Sequence, residues 1–182
     1  MKKIMWAATT MLLMTASSRA QDTPKADVAV GYANFLIAKG IPTDLSGVSG
    51  TVAVNANDWA GIAWDLGVYH GSPGGTGLTG VTYMVGPRFT LRTFERFTPY
   101  AQVLFGGARF STGFNGVTNS SGGHFGLGLG IGTDIDVGKS GRFAVRPQID
   151  YFGVRVNGSN VSNARLGIGL VYRFGKRKMV RE

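Results

Sequence analysis

The segment His124–Val137, H-F-G-L-G-L-G-I-G-T-D-I-D-V, leaves the chain few ways to fold. Side chains alternate across an extended strand with period two. Phe125, Leu127, Leu129, Ile131, Thr133 and Ile135 therefore share one face, and Gly126, Gly128, Gly130, Gly132, Asp134 and Asp136 share the other. A soluble sandwich would turn its apolar face toward a facing sheet. It gives no use to a second face that is almost bare glycine and ends in two aspartates. A small closed barrel, with lipid outside and a narrow, crowded, polar interior, uses both faces. The competing reading is a lone glycine-rich tract of a fibrous protein, and the rest of the chain argues against it.

The same alternation recurs along the chain. Strands are predicted at residues 26–35, 48–55, 59–69, 81–92, 99–110, 124–137, 142–154 and 163–174. The connections alternate between long (36–47, 70–80, 111–123, 155–162) and short (55–58, 93–98, 138–141). Such alternation on an even number of strands is what an outer-membrane barrel requires, with short periplasmic turns and longer external loops. In hydrocarbon every backbone polar group must be bonded within the protein, so the sheet has to close. The fold class predicted is all-β: an eight-stranded antiparallel up-and-down transmembrane barrel. The outward face is apolar, with Tyr32, Trp59, Tyr83, Phe89, Tyr151, Tyr172 and Phe174 toward the strand ends, where amphipathic rings suit the headgroup boundaries. Pro87 lacks a ladder donor, so a bulge or bend is predicted there.

Residues 1–20 read as a secretory signal, with Lys2 and Lys3, an apolar run and then Ser18-Arg19-Ala20. That run is too short to span a bilayer as a helix. The barrel is assigned to 26–174 and a basic periplasmic tail to 175–182. With no cysteine, the chain has no disulfide, no cysteine-ligated metal and no residue for lipid attachment after the signal. The formal net charge of +9 includes Lys2, Lys3 and Arg19 of the signal and Lys176, Arg177, Lys178 and Arg181 of the tail. The remaining arginines form no basic stripe, which argues against nucleic acid and suits a surface near anionic lipid.

The eight alternating strands are similar to the OmpA-like family of small outer-membrane barrels. The exported start, the segment T-P-Y-A-Q-V-L-F-G-G (98–107) and the last strand R-L-G-I-G-L-V-Y-R-F (165–174) carry that resemblance. It implies a bacterial outer-membrane location, outer-membrane lipid as surroundings, and a monomer. It also implies recognition of the last strand by the barrel assembly machinery, with Tyr172 and Phe174 as the signal. Here Phe174 is followed by eight residues, whereas many family members end on the aromatic. The peptidoglycan-binding domain of longer relatives has no counterpart here.

The candidate site is the inward charge set: Asp65, Arg88, Gln102, Asp134, Arg146, Asp150 and Arg173, with Arg92, Asp136, Gln148 and Arg165 beside them. Such charges either gate an ion pathway or plug the barrel through mutual salt bridges, and a bore this narrow favours the plug. Asp65, Asp134 and Asp150 are expected to pair with Arg88, Arg146 and Arg173. His70 and Ser72 form an H-x-S pair resembling that of outer-membrane lipid A deacylases, which makes a lipid-modifying enzyme the alternative function. The pair falls in a Gly/Pro loop early in the chain, and the late His124 has no serine beside it. The sequence therefore favours a non-enzymatic barrel with a structural role, with minor ion conduction or surface contact as secondary possibilities. Two separated histidines make no metal site, and no cofactor is expected.

Overall fold

The computed structural model describes residues 23–37, 44–72, 77–114, 117–120, 124–138, 140–156 and 159–175. The signal assigned to 1–20 and the tail beyond Gly175 lie outside them. The strands are β1 (Ala26–Ile37), β2 (Asp44–Asn55), β3 (Ala60–Gly71), β4 (Gly77–Thr90), β5 (Phe97–Phe114), β6 (Val117–Ser120), β7 (His124–Val137), β8 (Phe143–Val156) and β9 (Ser159–Phe174). Every pairing is antiparallel. The order runs β4-β3-β2-β1-β9-β8-β7-β5, and β4 pairs with β5 to close the ring. Eight staves thus make the barrel, while the four-residue β6 folds back only onto the far end of β5. First and last staves meet from Ala26 opposite Phe174 to Ile37 opposite Asn163.

Burial follows the period-two reading. β3 alternates without a break from Gly61 to His70, and β4 does so from Gly80 to Phe89. Leu129, Ile131, Leu166, Ile168 and Leu170 point outward, while Gly126, Gly128, Gly130, Asp134, Arg146 and Asp150 point inward. Two aromatic groups on the outer wall lie near the short turns: Trp59 stacks on Phe89, and Tyr172 packs between Phe143 and Phe174. At that end residues 56–59, 91–96 and 138–142 turn the chain. Gly138 and Gly141 there adopt φ of 76° and 63°, which side chains with a Cβ rarely take.

Three expectations need correcting. The loops at 36–47, 70–80, 111–123 and 155–162 are shorter than predicted, because the strands run on into them: β1 reaches Ile37, β2 starts at Asp44, β4 at Gly77 and β9 at Ser159. Gly, Ser and Asn in those stretches are turn formers, yet beyond the bilayer a hairpin tolerates polar residues on both faces. About 9–11 residues span a membrane, so the 18 of β5 and 16 of β9 overrun it.

Second, Pro87 causes no bulge. Val85 faces Phe105 and Arg88 faces Gln102, so the register is the same on both sides. The pairs between them are simply missing from the ladder, and β7–β8 shows the same gap beside Pro147, between Gly132–Gln148 and Ile135–Val145.

Third, the interior is polar through only part of its height. Toward the ends of the staves farthest from the termini, Phe35, Leu45, Tyr69, Leu104 and Phe152 fill the bore, with Leu78 and Phe110 packed against them.

Candidate functional site

Nearer the termini, side chains from all eight staves meet in the lumen. Two arginines there sit next to the two prolines: Arg88 follows Pro87 and Arg146 precedes Pro147. Each proline points outward and its arginine inward. The Arg88 and Arg146 guanidiniums lie 4.4 and 5.0 Å from the centre of the Tyr100 ring, which stands between them.

Around that ring the charges form a chain. Arg88 Nη1 is 3.4 Å from Asp27 Oδ1, and Arg146 Nη2 donates to the same oxygen at 2.8 Å. Arg146 also grips Asp134, with Nε to Oδ1 at 2.6 Å and Nη2 to Oδ2 at 3.0 Å. Arg173 joins Asp134 at 3.2 Å to Asp136 at 2.5 Å and donates to Gly141 O at 3.1 Å. Three carboxylates and three guanidiniums thus alternate around the barrel.

A second cluster lies one layer farther from the termini. Arg165 is fully buried and contacts two carboxylates, Asp65 Oδ1 at 2.6 Å and Asp150 Oδ2 at 2.8 Å. It also donates to Tyr69 Oη at 2.9 Å and covers the Phe152 ring, 5.0 Å from its centre. Gln102 ties the clusters together. Its Oε1 accepts from Arg88 Nη2 at 2.9 Å, and its Nε2 donates to Asp150 Oδ1 at 3.1 Å. Gln148 bridges Tyr100 and Asp150 in the same way, and Thr51 supplies a hydroxyl to Asp65.

All seven predicted lumen residues are therefore buried and brought into one network, but the expected partners are only partly right. Asp134 does pair with Arg146 and Arg173. Asp65 and Asp150 instead share Arg165, while Arg88 pairs with Asp27. Asp27 falls on the inward face of β1 by the same period-two signal as the others, and the predicted set left it out. Arg92 does not belong to the set: it lies in the 91–96 turn, past β4, and its Nε donates to Asp58 O at 3.1 Å. Tyr172 and Phe174 are on the outer wall.

Beside the network, at the β1/β9 wall, lies a small void. Lined by Ser49, Thr51, Arg146 and Gln148, it measures ≈ 10 Å³, room for about one water. Burying a charge alone is costly, whereas these are paired and hydrogen-bonded. Chemically, the arrangement holds side chains in place and excludes solvent. The H-x-S pair lies outside it. His70 is exposed on β3, with Nδ1 3.0 Å from the Thr79 hydroxyl, and Ser72 follows the end of that strand. A catalytic base of that type is oriented by a carboxylate. His124 opens β7 opposite Ala108.

Comparison with known proteins agrees with this architecture. Residues 6–174 match the family model described as outer membrane protein beta-barrel domain. Among curated proteins, none matches the sequence at a significant level. Neisserial surface protein A superposes with a TM-score of 0.69 at 18% identity, over 82% of this chain and 97% of that one. Ail, the attachment invasion locus protein of Yersinia pestis, gives 0.61 at 16% identity, over 83% and 99%. Outer membrane protein OprG from Pseudomonas aeruginosa gives 0.60 at 13% identity, over 87% and 100%. At these identities the likeness is one of fold.

Proposed function

The chain belongs to the outer membrane protein β-barrel family and resides in the bacterial outer membrane, and from that premise we propose that it is a non-enzymatic structural barrel with a plugged lumen. One observation carries the reading: ion pairs and hydrogen bonds link side chains from every stave across the bore, and an apolar layer lies above them. Fold alone does not fix function, but a filled interior bears directly on transport. A steady aqueous pore needs a continuous path of water, and buried, paired side chains from every stave stand across that path. The hairpins that overrun the membrane give the barrel an external surface for contact. Closure leaves no long strand edge among the described residues, which supports a monomer surrounded by outer-membrane lipid.

The test is electrical. The purified protein, its insertion verified by heat-modifiable migration on a gel, is reconstituted in a planar bilayer. We expect no steady single-channel current and no passage of large solutes. A large, steady conductance from the wild-type barrel would overturn the plug.

A further inference from the structure

The lipid-facing wall is hollowed along β5. On β5, Ala101 projects a single methyl between Phe89 of β4 and Ile131 of β7, which stand directly opposite it. One row nearer the turns, Pro99 faces Thr133, so two small residues again adjoin across the seam. The result is a groove of ≈ 740 Å³, walled on one side by the stacked rings of Trp59 and Phe89. It continues past Ala101 into a second hollow of ≈ 370 Å³, below Tyr151. The groove starts two residues into β5, where Leu91 of the 91–96 turn lines it, several residues above the end of β7 and the start of β8, and rises toward the middle of the bilayer. By sequence, the segments 91–96 and 138–142 carry Arg92, Arg96, Lys139 and Arg142 against a single acidic residue, Glu95; Arg96 and Arg142 are exposed.

We infer that this groove is a binding site for one phospholipid of the periplasmic leaflet with an anionic headgroup. An acyl chain lies along Ala101, and the phosphate meets the guanidinium groups of the turns. Charge selects this occupant. A second copy docked groove to groove would bring two basic rims together, whereas an anionic lipid neutralises one. The inference rests on the membrane placement of the barrel and is independent of whether the lumen conducts.

The test offers the detergent-purified barrel equal amounts of phosphatidylglycerol and phosphatidylcholine with identical chains and reads retained lipid by native mass spectrometry. Two exposed arginines near the surface should favour phosphatidylglycerol by roughly tenfold at low salt. Ala101→Phe fills the groove and should abolish retention of both lipids. Arg96→Gln with Lys139→Gln and Arg142→Gln should keep the lipid and lose the headgroup preference. Val52→Phe, outward on β2 across the barrel, should change nothing. Gel migration checks folding of each variant, and Ala101→Leu replaces the phenylalanine if that variant fails to insert. Equal retention of the two headgroups by the wild type, or undiminished retention after the groove is filled, overturns the proposal. So does a dimer that Ala101→Phe abolishes, since a second copy would then be the occupant.

Discussion

Gly130 and Gly50 are both strand glycines, and they differ in what a methyl group would meet. A Cβ on Gly130 would sit 2.1 Å from Asp150 Oδ1 and 2.9 Å from Gln102 Cγ, inside the polar network. A Cβ on Gly50 would point outward, with Ala29 O the nearest atom at 3.7 Å. Gly130→Ala must displace the side chains that join the two charge clusters, and overpacking of this kind costs about 1–3 kcal/mol. Gly50→Ala restricts the unfolded chain at no steric cost, and should stabilise by about 0.4–1 kcal/mol. Urea unfolding of the barrel in lipid vesicles measures both. Opposite signs are expected, and equal effects would mean that the glycines of His124–Val137 are not there to make room.

At the scale of the strand, β9 has two tasks. Its inward residues supply Arg165 and Arg173, and its outward end carries Tyr172 and Phe174 against Phe143. It also closes the ring on β1. We propose that the barrel assembly machinery reads that aromatic end. Tyr172→Ala and Phe174→Ala should then lower the fraction assembled in cells, while deletion of 176–182 should not. The readout is the heat-modifiable band in outer-membrane fractions, and variants that assemble like wild type would dismiss the idea. Strand faces were legible in the sequence because a one-residue slip exposes every lumen residue to lipid, so the alternation is strongly constrained. Strand ends were not. Past the bilayer the constraint lapses, and Gly77 or Ser159 can belong to a hairpin as readily as to a loop. Pro87 misled in another way. A missing donor suggested an inserted residue, whereas the ladder drops two pairs and keeps its register. Partner choice depends on the relative heights of different staves, which period two does not encode; hence Arg165, not Arg88, lies between Asp65 and Asp150.

For the whole molecule, the lumen is filled twice, by ionic clusters toward the termini and by an apolar layer beyond them, and we propose that each filling is a seal. Each seal should suffice alone, since a dry apolar constriction excludes ions by dewetting and a paired charge layer leaves no water path. Arg146 and Arg165 then differ in what their loss does. Without Arg146, Asp27 still has Arg88 and Asp134 still has Arg173. Without Arg165, Asp65 retains the Thr51 hydroxyl and Asp150 the amides of Gln102 and Gln148, with no cation among these partners. Arg165→Met should therefore cost about 3–5 kcal/mol, the usual loss on orphaning a buried charge, and Arg146→Met distinctly less. Neither should conduct, because Phe35, Leu104 and Phe152 still fill the bore beyond the charges. Phe35→Ala with Phe152→Ala should also remain closed, the ionic clusters being intact below. Only the combination of Arg146→Ala and Arg165→Ala with both phenylalanine truncations opens both charge clusters and the apolar layer into one aqueous path, and steady current in a planar bilayer should appear there first. Current from Arg146→Ala alone would show that neither the Arg165 cluster nor the apolar layer seals, and the barrel would then rest on a single ionic gate at Arg146.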